Sequence, residues 1–152
     1  LILSDRREHC LEMVRLANEK YGSEIAGAYL GGMKIHELDE SNEKMIIVGT
    51  YQACSEGYDN RTLDTLIMST PIGNILQTVG RIMRQDNDHH PLIYSIVDEN
   101  IPCLKKNCTT HMKLYKQRDY DVYRNDDPEK VDFKKIKKNV KEKNMWDQEC
   151  LL

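Results

Sequence analysis

The chain has 152 residues, enough for one core that takes roughly 68–70% of the unfolded surface out of water. With 39% hydrophobic residues and a formal net charge of −3, it reads neither as a disordered chain nor as a protein that holds nucleic acid by bulk positive charge. No run approaches the ~18 apolar residues of a membrane span, and the first residues lack the basic-then-apolar pattern of a secretion signal. The five cysteines, odd in number and irregularly spaced, argue against a disulfide framework and for a reducing, intracellular setting.

The chain opens on Leu1 rather than Met, as expected of a piece of a longer protein. Leu1-Ile2-Leu3 predicts a buried strand. Asp5 with Glu8 predicts a capping box. The helix it opens has an apolar face of Cys10, Leu11, Met13, Val14, Leu16 and Ala17, and ends at Gly22. Ile25 to Leu30 predicts a second strand, stopped by Gly31-Gly32. Residues 35–44 are polar and read as a short helix or a loop. Met45 to Val48 predicts a third strand with Gly49-Thr50 at its end, and Leu63 to Met68 a fourth. Residues 74–85 carry Ile75, Leu76, Val79, Ile82 and Met83 at helical spacing. Leu92 to Val97 predicts a fifth strand, Leu104 to Gln117 a helix, and Tyr120 to Tyr123 an extended stretch.

Strands alternating with helices, with few hairpin signals, predict an α/β fold: a parallel sheet sandwiched between helices over residues 1–123. In such sheets ligands lie beyond the carboxyl ends of the strands. Ser4-Asp5-Arg6, Gly31-Gly32, Gly49-Thr50 and the loop after Met68 are therefore the expected site segments. Charge divides along the chain: residues 1–100 hold nine Lys and Arg against sixteen Asp and Glu, and residues 101–152 hold thirteen against nine. Residues 124–152 follow an Asp126-Asp127-Pro128 break, with lysines around Val131, Phe133, Ile136 and Val140. They are expected to form a charged helical extension.

The chemistry concentrates in Gln77-Thr78-Val79-Gly80-Arg81-Ile82-Met83-Arg84. Gln77, Arg81 and Arg84, at i, i+4 and i+7, share one face of a helix. Two planar, always-charged guanidiniums beside a carboxamide suit a polyphosphate. Gly80 removes a side chain beside Arg81, leaving room for a backbone or ligand. A second segment, Gly49-Thr50 through Glu56-Gly57-Tyr58-Asp59, follows a buried strand. There the Thr50 hydroxyl is a candidate for a polymer phosphate, and Asp59 for accepting from a ribose hydroxyl or orienting Arg81.

Together these segments resemble superfamily 2 helicases. Ser4-Asp5-Arg6-Arg7-Glu8-His9 is similar to motif IV, Gly49-Thr50 to Asp59 to motif V, and Gln77 to Arg84 to motif VI. Thr78 stands where RNA-specialised branches carry Arg. Pro91 to Asp98 and Tyr115 to Tyr120 are similar to helicases of large nucleocytoplasmic DNA viruses, including the poxvirus transcript-release helicase. The resemblance implies the second RecA-like domain of an ATP-dependent helicase or translocase. In that role Arg84 is the main arginine finger, Arg81 its companion, and Gln77 a contact to the γ-phosphate or the attacking water. Gly57 and Asp59, with Gly80, line the nucleotide side. Ser4, Arg6, Gly31, Gly32 and Thr50 touch the nucleic-acid backbone, DNA being expected over RNA.

No Gly-x-x-x-x-Gly-Lys-Ser/Thr loop is present, and neither Asp39-Glu40 nor Asp98-Glu99 continues as a magnesium-binding box. ATP and Mg2+ are therefore expected to be held mainly by a first RecA-like domain, and this chain alone is expected to be inactive. No metal site is expected: Cys103, Cys108 and His111 do not have zinc-ligand spacing. A translocase of a restriction or remodelling machine, or a non-catalytic nucleic-acid- or partner-binding module, are the rival classes. The pairing of Arg81 and Arg84 beside Gln77 weighs against the last.

Overall fold

The computed structural model describes residues 1–22, 24–55, 58–82 and 90–124. The five predicted strands form β1 (Ile2–Ser4), β2 (Ala26–Tyr29), β3 (Ile46–Thr50), β4 (Thr65–Met68) and β5 (Leu92–Ser95). Each is followed by one helix: α1 (Arg7–Tyr21), α2 (Ile35–Asn42), α3 (Tyr51–Ser55), α4 (Leu76–Ile82) and α5 (Pro102–Gln117). The strands pair in parallel in the order β2-β3-β1-β4-β5. The expected α/β sheet is therefore present. The chain leaves β1 toward one edge and crosses β1 again between β3 and β4. This change of direction brackets β1 and puts a crevice beyond the carboxyl ends of the central strands. The extension expected at residues 125–152 lies outside the described residues.

Alternation along the strands assigns their two faces. Leu3, Ile47, Leu66 and Met68 turn to one side, where they are buried with Val79 and Ile82 of α4, Tyr115 of α5, and Cys54 and Tyr58. Val48 turns to the other side with Ile2, against Cys10, Met13 and Val14 of α1. Fully burying a side chain such as Leu66 contributes roughly 1.5–3 kcal/mol. The larger cluster lies under α3, α4 and α5, so the helices that carry the site segments rest on the better-packed face.

Three local features depart from the sequence reading, two as corrections and one, the short α3, on a stretch for which no element is predicted. The Asp5–Glu8 capping box does not form: α1 starts one residue later, with Arg6 as N-cap in extended conformation and no side-chain cap. β1 keeps its direction past Ser4, so the Asp5 amide donates to Thr70 Oγ1 at 2.8 Å, and the Arg6 amide donates to Ser4 Oγ at 3.2 Å. Second, the stretch after Thr50 is helical. The Thr50 hydroxyl accepts from the Ala53 amide at 3.3 Å, which starts α3 directly at the end of β3. Third, α5 begins at Pro102 rather than Leu104, because proline's fixed φ and missing amide suit a first helical turn. The polar stretch 35–44 resolves as α2, with the Glu37 carboxylate accepting from the Lys34 amide at 2.8 Å.

Candidate functional site

Two cavities open at the carboxyl end of the sheet. The larger, about 760 Å³, is bordered by the β2 end at Gly31 and Gly32, the β3 end at Thr50, and Asp5, Arg7 and Gln52. Gly32 has φ +81°, a conformation that favours glycine. A Cβ placed on Gly31 or Gly32 meets nothing within 4 Å, so this rim is bare backbone open to a ligand. Gly49 is constrained in the opposite way: its Cβ would lie 2.6 Å from Cys54 Sγ and 2.7 Å from the Tyr29 carbonyl oxygen. Only glycine lets β3 run this close to β2 and to α3, and that approach sets where Thr50 emerges.

Of the five residues expected to touch nucleic acid, Gly31, Gly32 and Thr50 share this cavity. Ser4 does not reach it. Its side chain is fully buried, and its hydroxyl lies 2.9 Å from His9 Nδ1 and accepts from Thr70 Oγ1 at 3.3 Å. Ser4 thus organises the turn that leads into α1. Arg6 is exposed beside that turn. Its neighbour Arg7 is the arginine at the cavity: its guanidinium donates to the Gly31 carbonyl at 2.5 Å and lines the wall. Sequence reasoning chose Arg6. Which of two adjacent arginines faces the glycines depends on the residue at which α1 begins.

The smaller cavity, about 400 Å³, lies between α3 and α4 and is lined by Gln77, Thr78, Arg81, Gln52 and Asn74. Gln77 is exposed and Arg81 half-buried, one turn apart on α4. The face expected to combine carboxamide and guanidinium is therefore formed over Gln77 and Arg81. Arg81 is already engaged. It donates through Nη2 to the Ser55 carbonyl at 2.6 Å and through Nη1 to the Tyr58 carbonyl, and its guanidinium carbon lies 5.9 Å from the centre of the Tyr58 ring. It thereby ties α4 to the last residue of α3 and to Tyr58. Asp59 is exposed and pairs with Arg61 at 3.9 Å. A Cβ on Gly80 meets nothing within 4 Å, so the helix surface beside Arg81 is open. Arg84 and Gly57 lie outside the described residues.

Cys54 borders this cavity at 2% exposure, and burial pushes its thiol up to about 12, so it is no nucleophile near neutral pH. Cys10, Cys54, Cys103 and Cys108 are free thiols. Among the described residues no helix is long and apolar enough to cross a membrane.

Sequence reasoning missed the part played by α5. Asn107 donates to the Pro71 carbonyl at 2.9 Å, and His111 Nε2 lies 2.5 Å from the Ile72 carbonyl oxygen. Ile72 lines both cavities. No local motif announces this contact, since the partners are 36 and 39 residues apart.

A parallel five-stranded sheet of this order, with both cavities beyond its carboxyl ends, defines an α/β domain of the RecA-like kind. The C-terminal part of the Fun30 ATPase domain has this fold: TM-score 0.54 over 93% of this chain and 44% of that one, at 10% identity. Two relatives are each 35% identical to the chain. One, from Acanthamoeba polyphaga mimivirus, is named as an ATP-dependent RNA helicase and matches over 108 residues, 70% of this chain. The other, from Invertebrate iridescent virus 6, is named as helicase 161L and matches over 114 residues, 74% of this chain. The matches span 21% and 24% of those relatives' lengths, so the chain corresponds to a part of each. No family model matches the chain. The resemblance to a superfamily 2 helicase C-terminal domain, of the kind found in large DNA viruses, is thus borne out by relatives and by fold.

Proposed function

We propose that this chain is the second motor domain of an ATP-dependent nucleic-acid helicase or translocase. The observation that carries the reading is the smaller cavity, where Gln77 and Arg81 of one helix face an open space beside α3. A carboxamide and a guanidinium on a rigid helix suit a phosphoryl group whose charge develops during transfer. Arg84, three residues beyond Arg81 in the sequence, is the arginine finger proper. Arg81 holds Ser55, the last residue of α3, and Tyr58 by their carbonyls and can offer its remaining donors to the nucleotide. Asp59 and Gly57 line the nucleotide side, and the bare surface at Gly80 admits the partner domain.

The larger cavity is the track. Gly31 and Gly32 present backbone without side chains, and the Thr50 hydroxyl and Arg7 supply polar contacts; Arg6, exposed beside the turn into α1, is a further contact to the nucleic-acid backbone. Ser4 acts from behind by holding the turn. ATP with Mg2+ is held mainly by a first RecA-like domain, since this sequence has no phosphate loop.

The test is ATP turnover by the intact parent protein with single- and double-stranded DNA and RNA, beside the 152-residue chain alone. The expected result is turnover by the parent that nucleic acid stimulates, the best stimulant naming the track, and none by the chain alone. Robust turnover by the chain alone sinks the proposal.

A further inference from the structure

β4 leads into the helix of Gln77 and Arg81 through a loop whose Ile72 is shared wall to both cavities. Two side chains of α5, four residues apart and so on one helix face, hold that loop by consecutive carbonyls. Asn107 Nδ2 donates to Pro71 at 2.9 Å, and His111 Nε2 lies 2.5 Å from the Ile72 oxygen. A carbonyl only accepts, so Nε2 carries the proton, and the neutral ring here is the Nε2–H tautomer. His111 is 1% exposed, and its Nδ1 has no hydrogen-bond partner among the described residues. A buried ring with an unpaired nitrogen is costly to keep, and an apolar ring would fill similar volume. What histidine adds here is the bond to the loop.

We infer that His111 and Asn107 are positioning residues that hold the loop between the two cavities. They fix the start of α4, and hence the aim of Gln77 and Arg81, and they make occupancy of the larger cavity felt at the smaller one through Ile72. This rests on the motor reading above. Neither residue touches substrate. They act through the backbone of Pro71 and Ile72, at whose far side the site residues begin.

The intact parent protein carrying His111→Phe, His111→Gln or His111→Asn separates the bond from the bulk. Glutamine's amide nitrogen stands where Nε2 does, whereas asparagine's is too short. In His111→Phe, nucleic-acid-stimulated kcat should fall about tenfold to a hundredfold, the scale of a misplaced catalytic group. KM for ATP should stay within about twofold. His111→Gln should restore stimulation, and His111→Asn should not. Hydrogen exchange at residues 72–76 should quicken in the Phe and Asn variants and not in Gln, with α1 unchanged in all three. Full stimulation in His111→Phe, equal losses in Gln and Asn, or unaltered exchange at 72–76 would each overturn the inference. A wild-type parent with no nucleic-acid-stimulated turnover overturns the motor reading and the coupling with it. Normal stimulation that ignores His111→Phe overturns the coupling alone.

Discussion

Gly49 and Arg81 illustrate two ways a single residue shapes this site. At Gly49, a methyl group would stand 2.7 Å from the Tyr29 carbonyl, which belongs to the neighbouring strand's backbone and cannot rotate away. Gly49→Ala should therefore destabilise the domain by about 1–3 kcal/mol, the usual cost of overpacking, read as a lower urea midpoint at unchanged slope. An unchanged midpoint would mean that β2 and β3 are looser than described. At Arg81 the matter is reach. Its planar fork spans the carbonyls of Ser55 and Tyr58, a pairing that a lysine ammonium on a flexible stem does not reproduce. The residue that sequence assigns to a phosphate is also a strut from α4 to the carbonyls of Ser55 and Tyr58.

At the scale of elements, α5 meets the loop between the cavities through Asn107 and the buried His111. Burial holds His111 below its ordinary value while the bond to Ile72 pulls weakly the other way. The unfolded ring titrates near 6.5. The stability of the neutral buried ring is therefore complete above that pH and lost as pH falls from there toward the lower folded value. Acidification through that window should lower the melting temperature of the wild type, and His111→Gln should flatten that part of the curve. A wild-type curve indifferent to pH there, or a slope that survives in His111→Gln, would contradict the burial described. Elements of this kind were unevenly legible in the sequence. All five strands were visible, because buried parallel strands are short apolar runs bounded by polar or glycine residues. α4 was visible from Ile75, Val79 and Ile82. The five-residue α3 was not, since it is too short to show a 3.6-residue period. α1 starts one residue later than the capping box predicts, and Arg7, which the sequence reading did not single out, meets Gly31. Chemical types at the site could be read from Gln77, Arg81, Gly31, Gly32 and Thr50. The burial of Ser4, the carbonyl partners of Arg81 and the grip of Asn107 and His111 depend on contacts between distant segments, to which no local pattern points.

At the scale of the whole molecule, the two cavities lie side by side on one edge of a single sheet and share a wall at Ile72. That edge is where an α/β domain of this topology offers binding surfaces, and neither cavity is a closed pocket with its own phosphate loop. Under the proposed function, the domain is one half of a motor whose nucleotide and track surfaces are completed from outside the chain. Its central claim is that the Gln77–Arg84 segment completes another domain's ATP site. ATP turnover by the intact parent protein, wild type against Arg84→Ala, with nucleotide binding measured in parallel, tests this most directly. The expected result is a loss of about 10³–10⁵ in nucleic-acid-stimulated kcat, the range for a lost arginine finger, with ATP binding retained. Turnover indifferent to Arg84→Ala would contradict it.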